Sequence, residues 1–389
     1  MQMDMQSGGV KFRVLKVSDV MPADKRRLVE VPYTATLAHT MNALVANRVV
    51  AVPVAAPPGK WIGAGGSMIL EADKQTGVVR KHYIGMVTML DILAHIAGGG
   101  TDNGGGDGID ELEQKMAVPV SSLIGQCLES LSLWTLNPST RVIEILMELG
   151  RSFKLCILDC MEVFSKGIHR ALVPMDSQME NIAGVELVES ASCYQMITQM
   201  DLLKFLKENN SSELQAIMSR SINELGAMSG HVFGVTERTR VIDAIKSMRA
   251  ASLLAVPVVE ASKTSDEDHK LLVDGKGRKL VGTFSATDLR GCPISQLRSW
   301  LPVSVMEFTE KLSSNQPHPA AHAPEDLSRS GARELVTCYM ESPLWEAVDK
   351  ALNKHVHRVW VVDAMGSLAG LVTLTDIIRV IRSSLLQES

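Results

Sequence analysis

The sequence predicts an α/β protein built from four tandem repeats, each with the order strand, helix, strand, strand, helix. Three observations predict this fold class. A short motif occurs four times, an amphipathic segment precedes each copy, and an apolar, strand-like segment lies between the two. In a chain of 389 residues, 46% are hydrophobic but only 4% are aromatic. We therefore expect a core of aliphatic side chains, formed by helices packed on small sheets.

The recurring motif is a Ser or Thr followed three residues later by an Asp, between two apolar runs. Its four copies are Thr88/Asp91, Thr198/Asp201, Ser285/Asp288 and Thr373/Asp376. One such pair before an apolar run is also an ordinary helix capping box, so a single copy carries little information. Four copies in phase with the surrounding pattern indicate a repeated structural unit.

The other elements of each unit follow from hydrophobic periodicity. The predicted helices lie at residues 37–45, 142–149, 241–248 and 344–352. The predicted middle strands lie at residues 48–54, 154–158, 253–259 and 359–362, and shorter leading strands at 12–15, 133–136, 233–235 and 335–337. The connections between the last two strands differ in length, which exposed loops tolerate.

These elements predict the domain boundaries. The repeats are expected at residues 12–97, 118–208, 214–292 and 293–386. Residues 98–117 are expected to be a Gly-rich linker, because the Gly, Asp and Asn residues at its start have no capacity to pack. Residues 311–330, rich in Pro, Ser and His, are expected to be a mobile insert in the fourth repeat.

The unit that ends in Ser/Thr-x-x-Asp resembles the cystathionine β-synthase (CBS) domain. Four such units in tandem resemble the gamma regulatory subunit of AMP-activated and sucrose-nonfermenting protein kinases, and particularly its plant gamma-like group. The fourth unit, with His357-Arg358 before its core strand and Thr373/Asp376 after it, matches best. The resemblance implies that the repeats pair into two Bateman modules, which form a flat pseudo-symmetric disk with four clefts for adenine nucleotides.

The candidate binding residues follow from what a nucleotide requires. The four hydroxyl–carboxylate pairs at helix starts offer groups for ribose and phosphate. His357 and Arg358 match the family's phosphate-contacting pair, and Lys154 supplies a cation at the expected place in the second unit. The first and third units have no cation at the corresponding place. We therefore expect the fourth cleft to bind best and the second next. Alternatively, the pairs only cap their helices, and His355 and Arg358 lie at a solvated helix end.

Composition limits the partners and the location. A net charge of −5 gives no global attraction to nucleic acid, and the most apolar run, residues 49–56, is too short to span a bilayer. The N-terminus lacks the pattern of a signal peptide. The six cysteines contain no C-x-x-C pair, so we expect reduced thiols and no metal site. A cytoplasmic or nuclear protein without membrane or nucleic-acid partners is predicted.

The predicted function is that of a non-catalytic regulatory subunit or adaptor. No nucleophile, base and orienting group occur together in the sequence, and the four repeats leave no room for a catalytic domain. The resemblance implies a kinase catalytic alpha subunit and a scaffolding beta subunit as partners. It also implies no required cofactor, with AMP, ADP or ATP as the ligand. Two alternatives remain open: a free-standing CBS regulator of another enzyme or transporter, and a cryptic nucleotide hydrolase.

Overall fold

The residues that the structure describes form four small sheets, each flanked by helices. A computed structural model describes residues 17–22, 27–56, 83–98, 108–124, 134–135, 156–175, 193–209, 211–262, 267–291, 294–314 and 334–387. In every sheet a short leading strand runs parallel to a middle strand, and the last strand pairs antiparallel with that middle strand. One sheet carries an additional edge strand. The predicted fold class, four repeated α/β units, is confirmed.

The strands follow the chain in groups of three or four. The first sheet contains β1 (Val31–Pro32), β2 (Ala51–Ala55) and β3 (Tyr83–Thr88). The second contains β4 (Trp134–Thr135), β5 (Arg170–Pro174) and β6 (Tyr194–Thr198). The third contains β7 (Phe233–Thr236), β8 (Ala255–Val259), β9 (Val273–Asp274) and β10 (Leu280–Ser285), and the fourth β11 (Thr337–Cys338), β12 (Arg358–Val362) and β13 (Leu368–Thr373).

The helices lie between and after these strands. The first part of the chain contains α1 (Val17–Val20), α2 (Leu37–Asn47), α3 (Met89–Gly98), α4 (Gly108–Ala117), α5 (Cys156–Ser165) and α6 (Gln199–Glu208). The second part contains α7 (Ser212–Ser219), α8 (Val241–Ala250), α9 (Leu297–Trp300), α10 (Val305–Ser314), α11 (Leu344–Asn353) and α12 (Leu374–Gln387). Short 3-10 turns span Val120–Leu123, Asp288–Gly291 and Ile294–Gln296. None of the helices in the described ranges is long and apolar enough to cross a lipid bilayer.

The second repeat differs from its prediction. The prediction of a middle strand at residues 154–158 is wrong. Helix α5 begins at Cys156, and the middle strand is Arg170–Pro174. A short apolar run does not distinguish a strand from a buried helix by periodicity alone. Phe164, which is fully buried, lies on this helix. Lys154 and the helix predicted at 142–149 lie outside the described residues.

Other segments also differ. The leading strand of the first repeat is Val31–Pro32, whereas residues 12–15 lie outside the described ranges. Helix α4 occupies the second half of the predicted linker, and its Met116 is buried in the core. Four residues of the predicted insert, 311–314, belong to α10, and residues 315–330 are not described. After Ser285 the predicted helix is reduced to a 3-10 turn.

Two large hydrophobic cores join repeats that are not consecutive. One core contains Met41 and Ile92 of the first repeat together with Ile245 of the third. The other contains Leu203 of the second repeat and Ile377 of the fourth. The helices carry these contacts, since α3 packs on α8 and α5 packs on α12. Each core is therefore complete only when both halves of the chain are present.

Two smaller clusters join consecutive repeats through their sheets. The rings of Tyr83 and Tyr194 meet edge to face, with centroids 5.5 Å apart, between the first and second sheets. Trp360 packs with Val259 and Leu280 between the fourth and third sheets. Sheet contacts thus join repeats one with two and three with four, and helix contacts join one with three and two with four. This ring of contacts gives the disk that the sequence predicts.

A tight approach of the chain to β13 leads to a first prediction. A Cβ atom on Gly370 would lie 2.6 Å from the carbonyl oxygen of Ser229 and 2.7 Å from Met228. Since a backbone atom cannot move aside cheaply, we expect Gly370→Ala to lower the free energy of unfolding by roughly 1–3 kcal/mol. The matched control is Gly230→Ala, whose Cβ would have no neighbour closer than 3.8 Å. Urea unfolding measures both, and equal stabilities would contradict the close approach.

Candidate functional site

All four Ser/Thr–Asp pairs form hydrogen bonds within the pair. In each, one carboxylate oxygen accepts from the backbone N–H and from the hydroxyl of the Ser or Thr. The hydroxyl distances are 2.7 Å for Thr88/Asp91, 2.7 Å for Thr198/Asp201, 3.0 Å for Ser285/Asp288 and 2.6 Å for Thr373/Asp376. Three of the hydroxyls also accept from the backbone N–H of the Asp. The capping interpretation therefore describes the local geometry of the first, second and fourth motifs. In the third motif Oγ of Ser285 lies 2.6 Å from Oγ1 of Thr287, and a 3-10 turn follows.

Two of the aspartates use their second oxygen as well. Oδ1 of Asp91 lies 3.7 Å from Nε of Arg249, which belongs to the third repeat. Oδ1 of Asp376 accepts from Nη2 of Arg379 at 2.8 Å. These contacts keep both carboxylates oriented at the start of their helices. A ligand that bound either oxygen would therefore compete with Arg249 or Arg379 for it.

A second set of bonds aligns the four repeats residue by residue. The N–H that follows each motif hydroxyl donates to the carbonyl just before the middle strand. The pairs are Met89 to Val50, Gln199 to His169, Ala286 to Leu254 and Leu374 to His357. His169-Arg170 is thus the second-repeat counterpart of His357-Arg358. Lys154, which the sequence analysis placed at this position, lies outside the described residues, and its predicted role stays a prediction.

The two His-Arg pairs line one central cleft. Its walls include Val50 and Thr88 of the first repeat, His169 and Arg170 of the second, Leu254 and Ser285 of the third, and His357, Arg358 and Thr373 of the fourth. The empty volume is about 1390 Å³ with the open mouth included. Five predicted site residues therefore meet here, namely Thr88, Ser285, His357, Arg358 and Thr373.

The second-repeat pair, Thr198 and Asp201, lies outside the lining of this cleft. Both were expected to bind a nucleotide, but neither is among the residues that line the cleft, whereas Gln199 between them is. Asp201 occupies the third position of α6, and its Oδ2 accepts from the backbone N–H of Thr198 at 2.8 Å in a complete capping box. A carboxylate at that position turns back to the helix start. One carboxylate oxygen of Asp201 therefore caps its helix, and the predicted contact of Asp201 with a nucleotide stays a prediction.

The other motif aspartates share this placement. The cleft lining includes the hydroxyl residue of the first, third and fourth motifs but none of their carboxylates, which are those of Asp91, Asp288 and Asp376. The reason is the same, since each carboxylate accepts from the N–H of its own motif hydroxyl residue. The hydroxyl residues of these three motifs thus line the cleft, and the ribose contacts predicted for the aspartates stay predictions.

Arg358 has the most unusual environment in the cleft. Its Nη1 donates to the carbonyl oxygen of Ala255 in the third repeat at 2.5 Å. The side chain as a whole is half-buried, but its Nε is buried without a hydrogen-bond partner. Among the described ion pairs, none includes Arg358. Burial lowers the pKa of its guanidinium to about 10, so the group remains charged at neutral pH. A cation desolvated without a counter-charge is costly, and a bound anion would remove that cost.

The rest of the cleft combines hydroxyl groups with an apolar wall. Thr287 and Thr375 add to the hydroxyls of the motif residues. The apolar wall comes from Leu254, Val281, Leu335, Val336, Val356 and Trp360. Two exposed acidic residues also line the cleft, Glu310 and Glu334, and Glu334 pairs with Lys354 at 2.5 Å. The Arg358 guanidinium is less exposed than either acidic group.

Gln199 is a cleft residue that sequence reasoning missed. It is almost fully buried, and its Nε2 donates to the carbonyl oxygen of Phe164 at 3.0 Å and to Oγ1 of Thr375 at 2.8 Å. The second bond joins the second repeat to the fourth. The signal was present, since a polar residue follows Thr198 where the other repeats have Met89, Ala286 and Leu374.

The fold and this cleft define a protein of the four-repeat CBS class. The sequence model of the CBS domain matches residues 329–383. The solved structure of protein MJ1225 from Methanocaldococcus jannaschii covers 94% of this chain and 99% of its own with a TM-score of 0.57, and at 16% identity it shows the fold alone.

Sequence comparison gives the family. The chain is 56% identical over 363 residues to SNF1-related protein kinase regulatory subunit gamma-like PV42a of Arabidopsis thaliana, covering 92% of this chain and 93% of that protein. It is 55% identical to PV42b of the same organism, with 95% of both covered. Kluyveromyces lactis 5′-AMP-activated protein kinase subunit gamma is 27% identical over 188 residues, 48% of this chain and 47% of that protein. The chain belongs to the family of SNF1-related protein kinase regulatory subunit gamma-like proteins.

Proposed function

We propose that the chain is a non-catalytic regulatory subunit of a heterotrimeric serine/threonine kinase of the SNF1-related type. It would assemble with a catalytic alpha subunit and a scaffolding beta subunit in the cytoplasm or the nucleus. The observation that carries this proposal is the 56% identity to PV42a over nearly the whole of both chains. This likeness covers 92% of the chain and is not confined to one repeat.

The proposed regulatory ligand is an adenine nucleotide bound in the central cleft at the fourth repeat. Arg358 and His357 would face the phosphates, Thr373 and Asp376 lie beside them at the start of α12, and the apolar wall would take the base. The unpartnered Nε of Arg358 supports this, because an anion there would satisfy a buried donor. The other motif residues stay candidates of lower rank, and Asp201 ranks last. The nucleotide regulates the kinase only through different affinities for two states of the complex.

Co-purification tests the partner. Full-length chain co-expressed with the alpha and beta subunits of a plant SNF1-related kinase is expected to purify as a 1:1:1 complex. Complementation of a strain that lacks its kinase gamma subunit checks the same assignment in cells. A chain that neither co-purifies nor complements would contradict the kinase assignment and favour a free-standing regulator.

Thermal unfolding with AMP, ADP and ATP tests the ligand separately. We expect a rise in melting temperature for the wild type and for Arg238→Ala, which changes an exposed arginine away from the cleft. We expect no rise for Arg358→Ala. Equal responses of the two variants would place the nucleotide elsewhere.

A further inference from the structure

The outer edge of the leading strand can be compared between the third and fourth repeats. Strands β7 and β11 pair in the same register with their middle strands, so each residue of one has a counterpart in the other. Thr337 is the counterpart of Gly234, and Tyr339 is that of Thr236. In both repeats the N–H of the second residue donates to a hydroxyl three residues further on, at 3.1 and 3.2 Å. The strands therefore match, and the repeats differ in what lies against the outer edge.

In the third repeat the chain covers this edge with its own insert. Strand β9 pairs antiparallel with β7, and its Val273 lies opposite Gly234. Just before β9, Nδ1 of His269 lies 2.9 Å from the hydroxyl of Thr236, which is fully buried. The outer edge of a leading strand in this fold therefore accepts an antiparallel strand.

In the fourth repeat no described residue pairs with the equivalent edge. The last two strands are joined by residues 363–367 alone, and β11 is the outer strand of its sheet. The N–H of Trp360 donates to the carbonyl of Val336, so the N–H and carbonyl of the next residue, Thr337, point away from the sheet. Nζ of Lys350 donates to that carbonyl at 2.8 Å, and the oxygen can accept a second bond. The backbone of Thr337 thus faces outward as that of Gly234 does.

A depression and exposed apolar side chains lie at the end of this edge. The depression has an empty volume of about 970 Å³ with its open mouth included, and its lining includes Tyr339, Val362, Ala364 and Ala369. Tyr339 is 56% exposed, and Met365, which follows Ala364, is 82% exposed. One surface of the fourth repeat therefore carries both an apolar recess and an apolar side chain that extends into solvent.

From these features we infer that the outer edge of β11 and this depression form a contact surface for a second copy of the chain. A two-fold axis would place the two β11 edges antiparallel, which is how β9 lies on β7. The outward N–H and carbonyl of Thr337 would pair with the same groups of the other copy, and Met365 of each copy would enter the other's depression. A second copy therefore supplies both the strand and the side chain that the surface lacks. This inference does not depend on the proposed kinase assignment.

Sedimentation equilibrium of the full-length chain tests the contact. The edge is short, so we expect a weak dimer with a Kd on the order of 10 µM. Tyr339→Asp and Met365→Asp are each expected to weaken the dimer at least about tenfold, because the new carboxylate would be desolvated beside Glu341 and Asp363 of the depression. The matched control is Leu271→Asp, which changes a 60% exposed residue of the third-repeat insert and should dimerise like the wild type. Circular dichroism checks that all variants are folded.

Disulfide trapping tests the pairing of the strands. In a hydrogen-bonded antiparallel pair the two Cα atoms lie about 5.5 Å apart, a distance that a disulfide can bridge. Thr337→Cys is therefore expected to give a cross-linked dimer with oxidised glutathione, whereas Leu271→Cys is not. The wild type gives the background from its exposed Cys193.

Each other outcome overturns a defined statement. A wild type that stays monomeric at about 100 µM would reject the contact between copies and leave the kinase assignment intact. If Tyr339→Asp then lowered binding to the kinase alpha and beta subunits, the edge would serve another protein. A dimer that both aspartate variants retain would place the dimer contact elsewhere. A dimer that both variants lose, but that Thr337→Cys does not cross-link, would reject the paired strands.

Discussion

Trp360→Ala is expected to lower the free energy of unfolding by about 3–5 kcal/mol, the usual cost of truncating a buried aromatic side chain. Trp360 is 2% exposed and packs between the third and fourth sheets. Its indole N–H also donates to Oγ1 of Thr283 at 2.8 Å, which joins the two repeats directly. The substitution would leave a cavity at the sheet contact and an unpaired hydroxyl beside it. Chemical denaturation of the ligand-free protein measures the loss.

The same repeat offers a matched control. Trp345 lies in the first turn of the fourth-repeat helix α11 but is 52% exposed. Trp345→Ala is therefore expected to change stability by less than about 1 kcal/mol. A similar loss in both variants would mean that the two tryptophans are equally buried, which would contradict the sheet contact between repeats three and four.

Arg358→Met is expected to change stability and binding in opposite directions. Methionine has a similar length and no charge, so the buried unpartnered Nε and its desolvation cost disappear. The lost bond to the Ala255 carbonyl offsets part of this gain, by about 1 kcal/mol. We expect the ligand-free variant to be more stable than the wild type by on the order of 2 kcal/mol. Nucleotide binding should fall by about 100-fold or more.

Arg238→Met separates the effect of burial from that of removing any arginine. Arg238 is exposed, so its replacement is expected to leave stability within about 0.5 kcal/mol and nucleotide binding unchanged. Urea unfolding without ligand and isothermal titration with ATP provide the two readouts. If Arg358→Met were destabilised without ligand, Arg358 would be a structural residue of the repeat contact, and its buried donor would not point to a ligand.

The repeat itself could be predicted because its signals are local. A capping box needs only two residues three apart, so Thr373 and Asp376 identify their strand–helix junction without tertiary information. The helices Leu37–Asn47, Val241–Ala250 and Leu344–Asn353 likewise follow from amphipathic stripes. These three helices agree with the sequence prediction because each packs one apolar face against one core.

The second repeat was harder for a physical reason. The run 155–158 is short and apolar on all sides, and neither strand nor helix periodicity can be read from it. The observed middle strand begins at Arg170 instead and pairs with Tyr194–Thr198. A search upstream of Thr198 for a His-Arg pair before an apolar run, as in the fourth repeat, would have located His169-Arg170.

The composition of the cleft depends on tertiary packing, which no local pattern reveals. The motif that identifies Asp201 as the partner of Thr198 does not tell whether its carboxylate faces a ligand or its own helix start, and the structure shows the second. Likewise, the burial of Nε of Arg358 depends on residues that are distant in sequence, such as Ala255, whose carbonyl oxygen accepts from Nη1. Local sequence therefore located the motifs, but the packing of repeats decided which of their side chains reach the cleft.

Each large core joins two repeats that are not consecutive in the chain, and this affects how the chain folds. The bond from Gln199 to Thr375 spans 176 residues, and the one from Arg382 to Glu162 spans 220. During synthesis the second repeat therefore emerges long before the fourth-repeat helices that cover it. Contacts of such high sequence separation slow folding and leave apolar surface uncovered in the meantime. We expect the nascent N-terminal half to depend on chaperones until the last helix, Leu374–Gln387, is released.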